Sequence, residues 1–97
     1  MTPIGFIEPF ASWLLIPEHC RKSLQDYILY GAPVGDFLSA VLSNDLRGAI
    51  ARADDDNLPR LKDYITFLYQ FAPAACWGSA KNHADWIKLG LKAYEQD

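Results

Sequence analysis

Four side chains in this sequence have the chemistry to hold a metal or attack a carbonyl: His19, Cys20, Cys76 and His83. Together they offer the two nitrogens and two sulfurs of a tetrahedral zinc site. Their spacing argues against one. His19 and Cys20 are neighbours, which on a helix point about 100° apart, and no Cys-x-x-Cys or His-x-x-x-His pair is present to seed a site. A nucleophile pair of Cys76 with His83 or His19 needs a third residue to orient the imidazole and donors for an oxyanion, and no local motif supplies either. The default expectation is buried thiols and a surface histidine. The acidic run Asp54-Asp55-Asp56-Asn57 lacks the glycine and distal glutamate of a calcium loop and reads as a solvated turn. No phosphate-binding glycine loop, Gly-x-Ser-x-Gly elbow or His-Glu-x-x-His pair occurs. The residues therefore predict no catalytic centre, no cofactor and no metal.

Aromatic residues are the more suggestive feature. Five Tyr, five Phe and three Trp exceed what one small core easily hides, and Trp and Tyr are enriched at binding hot spots. Most should be buried, because large aromatics fill a small core well. The candidates for contact with another protein are Phe6, Phe10 and Trp13 in the apolar N-terminal segment 1–16, and Trp77 in a short loop. Trp77 has two expected fates: a plug at the end of the fold with its indole N–H on a backbone carbonyl, which is preferred, or an exposed anchor.

The elements that must position these residues are helical. Twelve Leu and twelve Ala stand against two Val and two Thr, and β-branched residues lose rotamer freedom in a helix where Ala and Leu do not. The class is all-α, a small bundle of about five to six short helices in a single domain over 1–97. A first helix is expected near 9–15, with Phe6, Phe10, Trp13 and Leu14 on one side. A second starts at Pro17, buries Cys20, Leu24, Tyr27 and Ile28, and stops at Gly31. Val34, Phe37, Leu38, Val41 and Leu42 repeat at helical spacing. Ser43-Asn44-Asp45 then predicts a bend or a new helix whose first amides one of these side chains caps, before Leu46, Ala49, Ile50 and Ala53 resume the spacing; one continuous helix through Asn44 is the alternative, since the two apolar faces stay nearly in phase. An acidic capping loop leads to the central helix, 58–72, with an apolar stripe of Leu61, Tyr64, Ile65, Leu68, Tyr69 and Ala72 widened by Phe67 and Phe71. Pro73 ends it. Ser79 caps a last helix with His83, Trp86, Ile87, Gly90, Leu91 and Tyr94 on one face.

Composition bounds the partners. A 51% apolar and 22% charged chain of net charge −3 and pI near 5.2 has no basic footprint for nucleic acid, and too little excess acid to imitate one. Phe6 to Ile16, the most apolar stretch, is interrupted by Glu8 and Pro9 and is too short to span a membrane, which takes about 20 residues. No basic n-region or cleavage site precedes the two cysteines, so a cytoplasmic location with reduced thiols is expected.

A resemblance adds context. Ile16-Pro17, Leu24-x-x-Tyr27, Gly31-x-Pro33-x-Gly35-x-Phe37-Leu38, Ala40-Val41-Leu42-x-Asn44-Asp45-Leu46, Ala53-Asp54 and Cys76-Trp77-Gly78-Ser79 occur in this order. Over residues 16–87 the chain resembles a group of small, mostly uncharacterised phage and prophage proteins. The resemblance implies an accessory gene product acting inside an infected bacterium by binding another protein, with inhibition of a host defence system such as CRISPR as one form of that action. The alternative is a self-associating, homodimeric accessory protein whose contact is the patch of Phe6, Phe10, Trp13 and Leu14.

Overall fold

The computed structural model describes the backbone of residues 11–95 and the side chains of 13–90. Within that span there are six α-helices and no strand, an all-α fold: α1 (Ala11–Leu15), α2 (Glu18–Tyr30), α3 (Asp36–Leu42), α4 (Leu46–Arg52), α5 (Leu61–Phe71) and α6 (Ala80–Glu95). Two short 3₁₀ turns, Leu58–Arg60 and Ala74–Cys76, lead into α5 and out of it towards α6.

The helix boundaries follow from local chemistry. Pro17 stands as the N-cap of α2, and Gly31 ends that helix in the left-handed conformation at φ 70°, where a residue with a Cβ is strained. Its N–H donates to the Tyr27 carbonyl at 2.9 Å. The break between α3 and α4 is the one the Ser43-Asn44-Asp45 chemistry predicts: Asn44 takes φ 62°, and the Asp45 carboxylate accepts the Gly48 N–H at 3.0 Å. Asparagine is among the few residues that visit this region readily. Ala72 is extended, as the residue before a proline prefers. Ser79 accepts the Asn82 N–H at 3.0 Å and caps α6.

The core is built from Trp13, Ile16, Leu24, Tyr27, Phe37, Leu38, Val41, Leu42, Tyr64, Phe67, Leu68 and Cys76, with smaller residues between them. Trp13 of α1 lies on Phe67 of α5 with ring centroids 5.2 Å apart. Phe37 of α3 meets Tyr64 of α5 edge to face at 5.3 Å. These geometries suit the ring quadrupoles and add to the burial itself.

Two helices expose more than their spacing predicts. On α4 only Gly48 and Ala49 are buried, while Leu46 and Ile50 face solvent. The contact with α3 runs over these two small residues, which leaves their larger neighbours outside. On α5 the core takes Tyr64, Phe67 and Leu68, and Ile65 and Tyr69 point away from it. The apolar residues of α5 wrap further around the helix than one packed face can cover.

Helices α2 and α6 cross unusually closely. A Cβ on Gly90 would fall inside the Tyr30 carbonyl and 2.8 Å from the Gly31 Cα, and one on Gly31 would lie 2.7 Å from the Trp86 carbonyl. Two glycines therefore meet where the helices touch, and the Trp86 indole N–H donates to the Tyr27 carbonyl at 2.8 Å beside them.

Candidate interaction surface

The residues with reactive chemistry are dispersed. Cys20 exchanges weak contacts with Asn57, its thiol 3.7 Å from Asn57 Oδ1 and its sulfur 3.5 Å from Asn57 Nδ2. Cys76 is fully buried, and burial pushes its thiol up to about 11, away from the thiolate that nucleophilic chemistry needs. His83, contrary to a surface position, is 8% exposed. The four zinc candidates thus occupy separate environments, and they form no ligand cluster among the described residues.

His83 is held by a relay across three helices. The Tyr27 hydroxyl donates to the Cys76 carbonyl at 2.6 Å, so it can only accept at His83 Nδ1, 3.0 Å away. That fixes the proton on Nδ1 and leaves Nε2 as the acceptor of the Ser39 hydroxyl at 3.1 Å. Burial holds the imidazole below its ordinary value, and also raises the Tyr27 phenol. The relay satisfies buried polar groups.

The acidic loop is partly turned inward. Asp54 accepts the N–H groups of Asp56 and Asn57 at 3.0 and 2.7 Å, so it caps its own turn rather than α5. The Asn57 backbone bond, with a smaller contribution from His19, holds its carboxyl below the usual range. Asn57, expected in a solvated turn, is 3% exposed and accepts the Tyr64 hydroxyl at 2.7 Å. His19, Asp54 and Asp56 place one ligand atom each within 4.8 Å of one another, all exposed. His19 Nε2 and Asp54 Oδ2 stand 3.1 Å apart, and the Asp56 N–H bonds to the same Asp54 carboxylate.

The aromatic candidates separate in the same way. Phe6 and Phe10 lie outside the described residues. Trp13 is 5% exposed and belongs to the core, while its neighbours Leu14 and Leu15 face solvent at 60% and 43%. Trp77 is half-buried against the core, and its indole N–H has no acceptor among the described residues. The plug with a carbonyl-bonded indole is Trp86 instead. Trp77 is placed by its backbone: Gly78, at φ 98°, donates its N–H to the Leu42 carbonyl at 2.8 Å, and Asn82 Nδ2 donates to the Trp77 carbonyl at 3.0 Å.

One place for a partner among the described residues is an open groove of about 800 Å³ at the junction of α1 and α2, lined by Leu14, Leu15, Glu18, His19, Arg21 and Arg60 among others. Its wall is fixed by Arg21, whose guanidinium donates to the Ile16 carbonyl at 2.9 Å and the Leu14 carbonyl at 2.8 Å. A cation on the last carbonyls of a helix satisfies acceptors that have no partner within it and complements its dipole. Exposed leucines with a rim of both charges can seat an apolar side chain and steer its flanks. The sequence reading placed Leu14 on the same side as Trp13, but neighbouring helical residues point about 100° apart, and with Trp13 packed on Phe67 Leu14 is left facing solvent. No protein-family model, curated protein or solved structure matches the chain.

Proposed function

We propose that this chain is a small binding protein that acts by docking onto another protein, in the manner expected of a phage accessory protein in the cytoplasm of a bacterial host. The observation that carries this reading is the groove in which Leu14 and Leu15 stand exposed between charged side chains. Two adjacent exposed leucines on a wall pinned by Arg21 suit a protein ligand better than a small polar substrate. The dispersal of the cysteine and histidine side chains supports binding over catalysis. The resemblance of several segments to small phage proteins is what suggests a bacterial partner, and a component of a host defence system such as CRISPR is the partner whose capture would inhibit that defence.

The test uses the full chain and a Leu14→Asp/Leu15→Asp variant as baits in bacterial lysate, each also melted thermally. Both changes are at exposed positions and should shift stability by no more than about 0.5 kcal/mol each. Docking through the groove predicts a protein retained in stoichiometric amount by the natural chain and lost from the variant. Equal retention by both baits, with melting unchanged, would remove the groove from the proposal.

A further inference from the structure

The charged side chains that line the groove between α1 and α2 differ in what they already hold. Its two arginines are engaged: the Arg21 guanidinium lies on the Leu14 and Ile16 carbonyls, and Arg60 reaches Asp63 at 3.5 Å. Its two acids, Glu18 and Asp56, are exposed, and neither carboxylate has an ion-pair or hydrogen-bond partner among the described residues. Glu18 stands in the first turn of α2, where the helix dipole favours the ionised form. Asp56 stands beside Asp54, with a carboxylate oxygen of each within 4.8 Å of the other. Asp54 keeps its charge through the N–H groups of Asp56 and Asn57 on one oxygen and His19 on the other. Two carboxylates at this separation repel, and a cation brought beside them favours both.

The sign of the groove thus follows from the bonds within it. An arriving carboxylate adds a further negative charge beside Asp54 and Asp56, and must compete with two carbonyls for Arg21. An arriving ammonium or guanidinium meets two unpaired carboxylates and strips nothing from the chain's own bonds. Asp36 is also exposed and without a cation, but it does not line the groove. What singles out Glu18 and Asp56 is that they border the same space of about 800 Å³ as the exposed Leu14 and Leu15.

We propose that the groove takes a segment of a partner protein in which an apolar side chain is flanked by lysine or arginine, the apolar group resting on Leu14 and Leu15 and the cation meeting the carboxylates of Glu18 and Asp56. This rests on the groove being the docking site and adds the charge of what docks there. Rim charges of this kind set orientation and encounter rate more than tightness.

A random peptide library displayed on yeast tests it, selected on the full natural chain and counter-selected on Leu14→Ser/Leu15→Ser, which removes the leucines and leaves the charge unchanged. Leucine-dependent peptides should carry Leu, Ile, Phe or Met with Arg or Lys within about one helical turn. A synthetic copy of such a peptide should bind Glu18→Gln/Asp56→Asn roughly fivefold more weakly than the natural chain, with a flatter dependence on salt. It should bind Asp36→Asn/Asp85→Asn, which removes two charges elsewhere, as it binds the natural chain. Thermal melting should be alike throughout, since every changed side chain is at the surface. Leucine-dependent peptides with acidic or uncharged flanks would overturn the proposal and leave groove docking standing, as would a Glu18→Gln/Asp56→Asn effect no larger than that of Asp36→Asn/Asp85→Asn. If no leucine-dependent peptide emerges, docking through the groove falls, and the proposal with it.

Discussion

Tyr27 and Tyr64 are both fully buried and both bond their hydroxyls, yet they are satisfied by different kinds of partner. Tyr27 reaches the backbone carbonyl of Cys76 and the ring of His83, tying α2 to α6 and to the turn between α5 and α6. Tyr64 donates to the side chain of Asn57, which bonds in turn to Cys20. The first arrangement depends on a titratable ring and on a close helix crossing. The second depends on a neutral amide that leaves its loop's carboxylates at the surface. A buried hydroxyl thus commits its surroundings unequally: Tyr27 fixes three elements around a group that can gain a proton, and Tyr64 pins one loop through a neutral amide.

The largest disruption of this contrast should come from Gly90→Ala. The added methyl meets backbone of Tyr30 and Gly31, which cannot rotate aside as a side chain can, so α6 must shift away from α2. Overpacking of this severity should lower stability by about 3 kcal/mol in urea denaturation. A loss below about 1 kcal/mol would mean that the helices separate easily and that the Tyr27 side is no tighter than the other.

A direct comparison follows from removing each hydroxyl. Tyr27→Phe strands the His83 Nδ1–H and the Cys76 carbonyl, two buried groups, and should cost about 2–3 kcal/mol; Tyr64→Phe leaves Asn57 Oδ1 the weak Cys20 thiol donor and should cost about 1 kcal/mol. Equal losses would show that the number of stranded partners does not decide the effect.

The gentlest probe is pH. Burial holds His83 below its ordinary value, so between the two values the unfolded chain carries a proton there that the folded chain lacks. Its contribution to stability is intact above about pH 6.5 and declines as pH falls through the folded value. Asp54, held low chiefly by the Asn57 N–H, contributes fully above the ordinary carboxylate value near about 3.9 and loses its contribution below it. Denaturation midpoints from pH 7.5 downwards should therefore fall in two steps, and His83→Gln should erase the upper one. A natural chain equally stable at pH 7.5 and 5 would contradict the sign given for His83.

Much of the fold is readable from residues whose effect is local. Gly31, Asn44-Asp45, Pro73 and Ser79 act within one turn of themselves, and each ends or starts a helix where its chemistry says it should. The site is less readable because it depends on which of several apolar residues find a partner. Spacing places Ile65 and Tyr69 on the same broad stripe as Tyr64 and Leu68, and only the positions of α1 and α3 decide where the core stops. The indole bond expected of Trp77 has the same origin: Trp77 packs against the core, but the bonded indole is that of Trp86, whose acceptor is set by the Gly31–Gly90 crossing, a contact between residues 59 apart that no local pattern announces.

The Arg21 guanidinium has a consequence for how the groove would meet a ligand. Because it bonds to two carbonyls rather than to a carboxylate, its hold on α1 has no counter-charge for dissolved salt to screen, unlike the exposed pairs of Lys22 with Asp26 and Lys81 with Asp85. The wall bearing Leu14 and Leu15 is then less sensitive to ionic strength than one held by an exposed ion pair. A partner gives up its own freedom on arrival but asks little further ordering of this surface, which keeps the entropic penalty of association on one side of the interface.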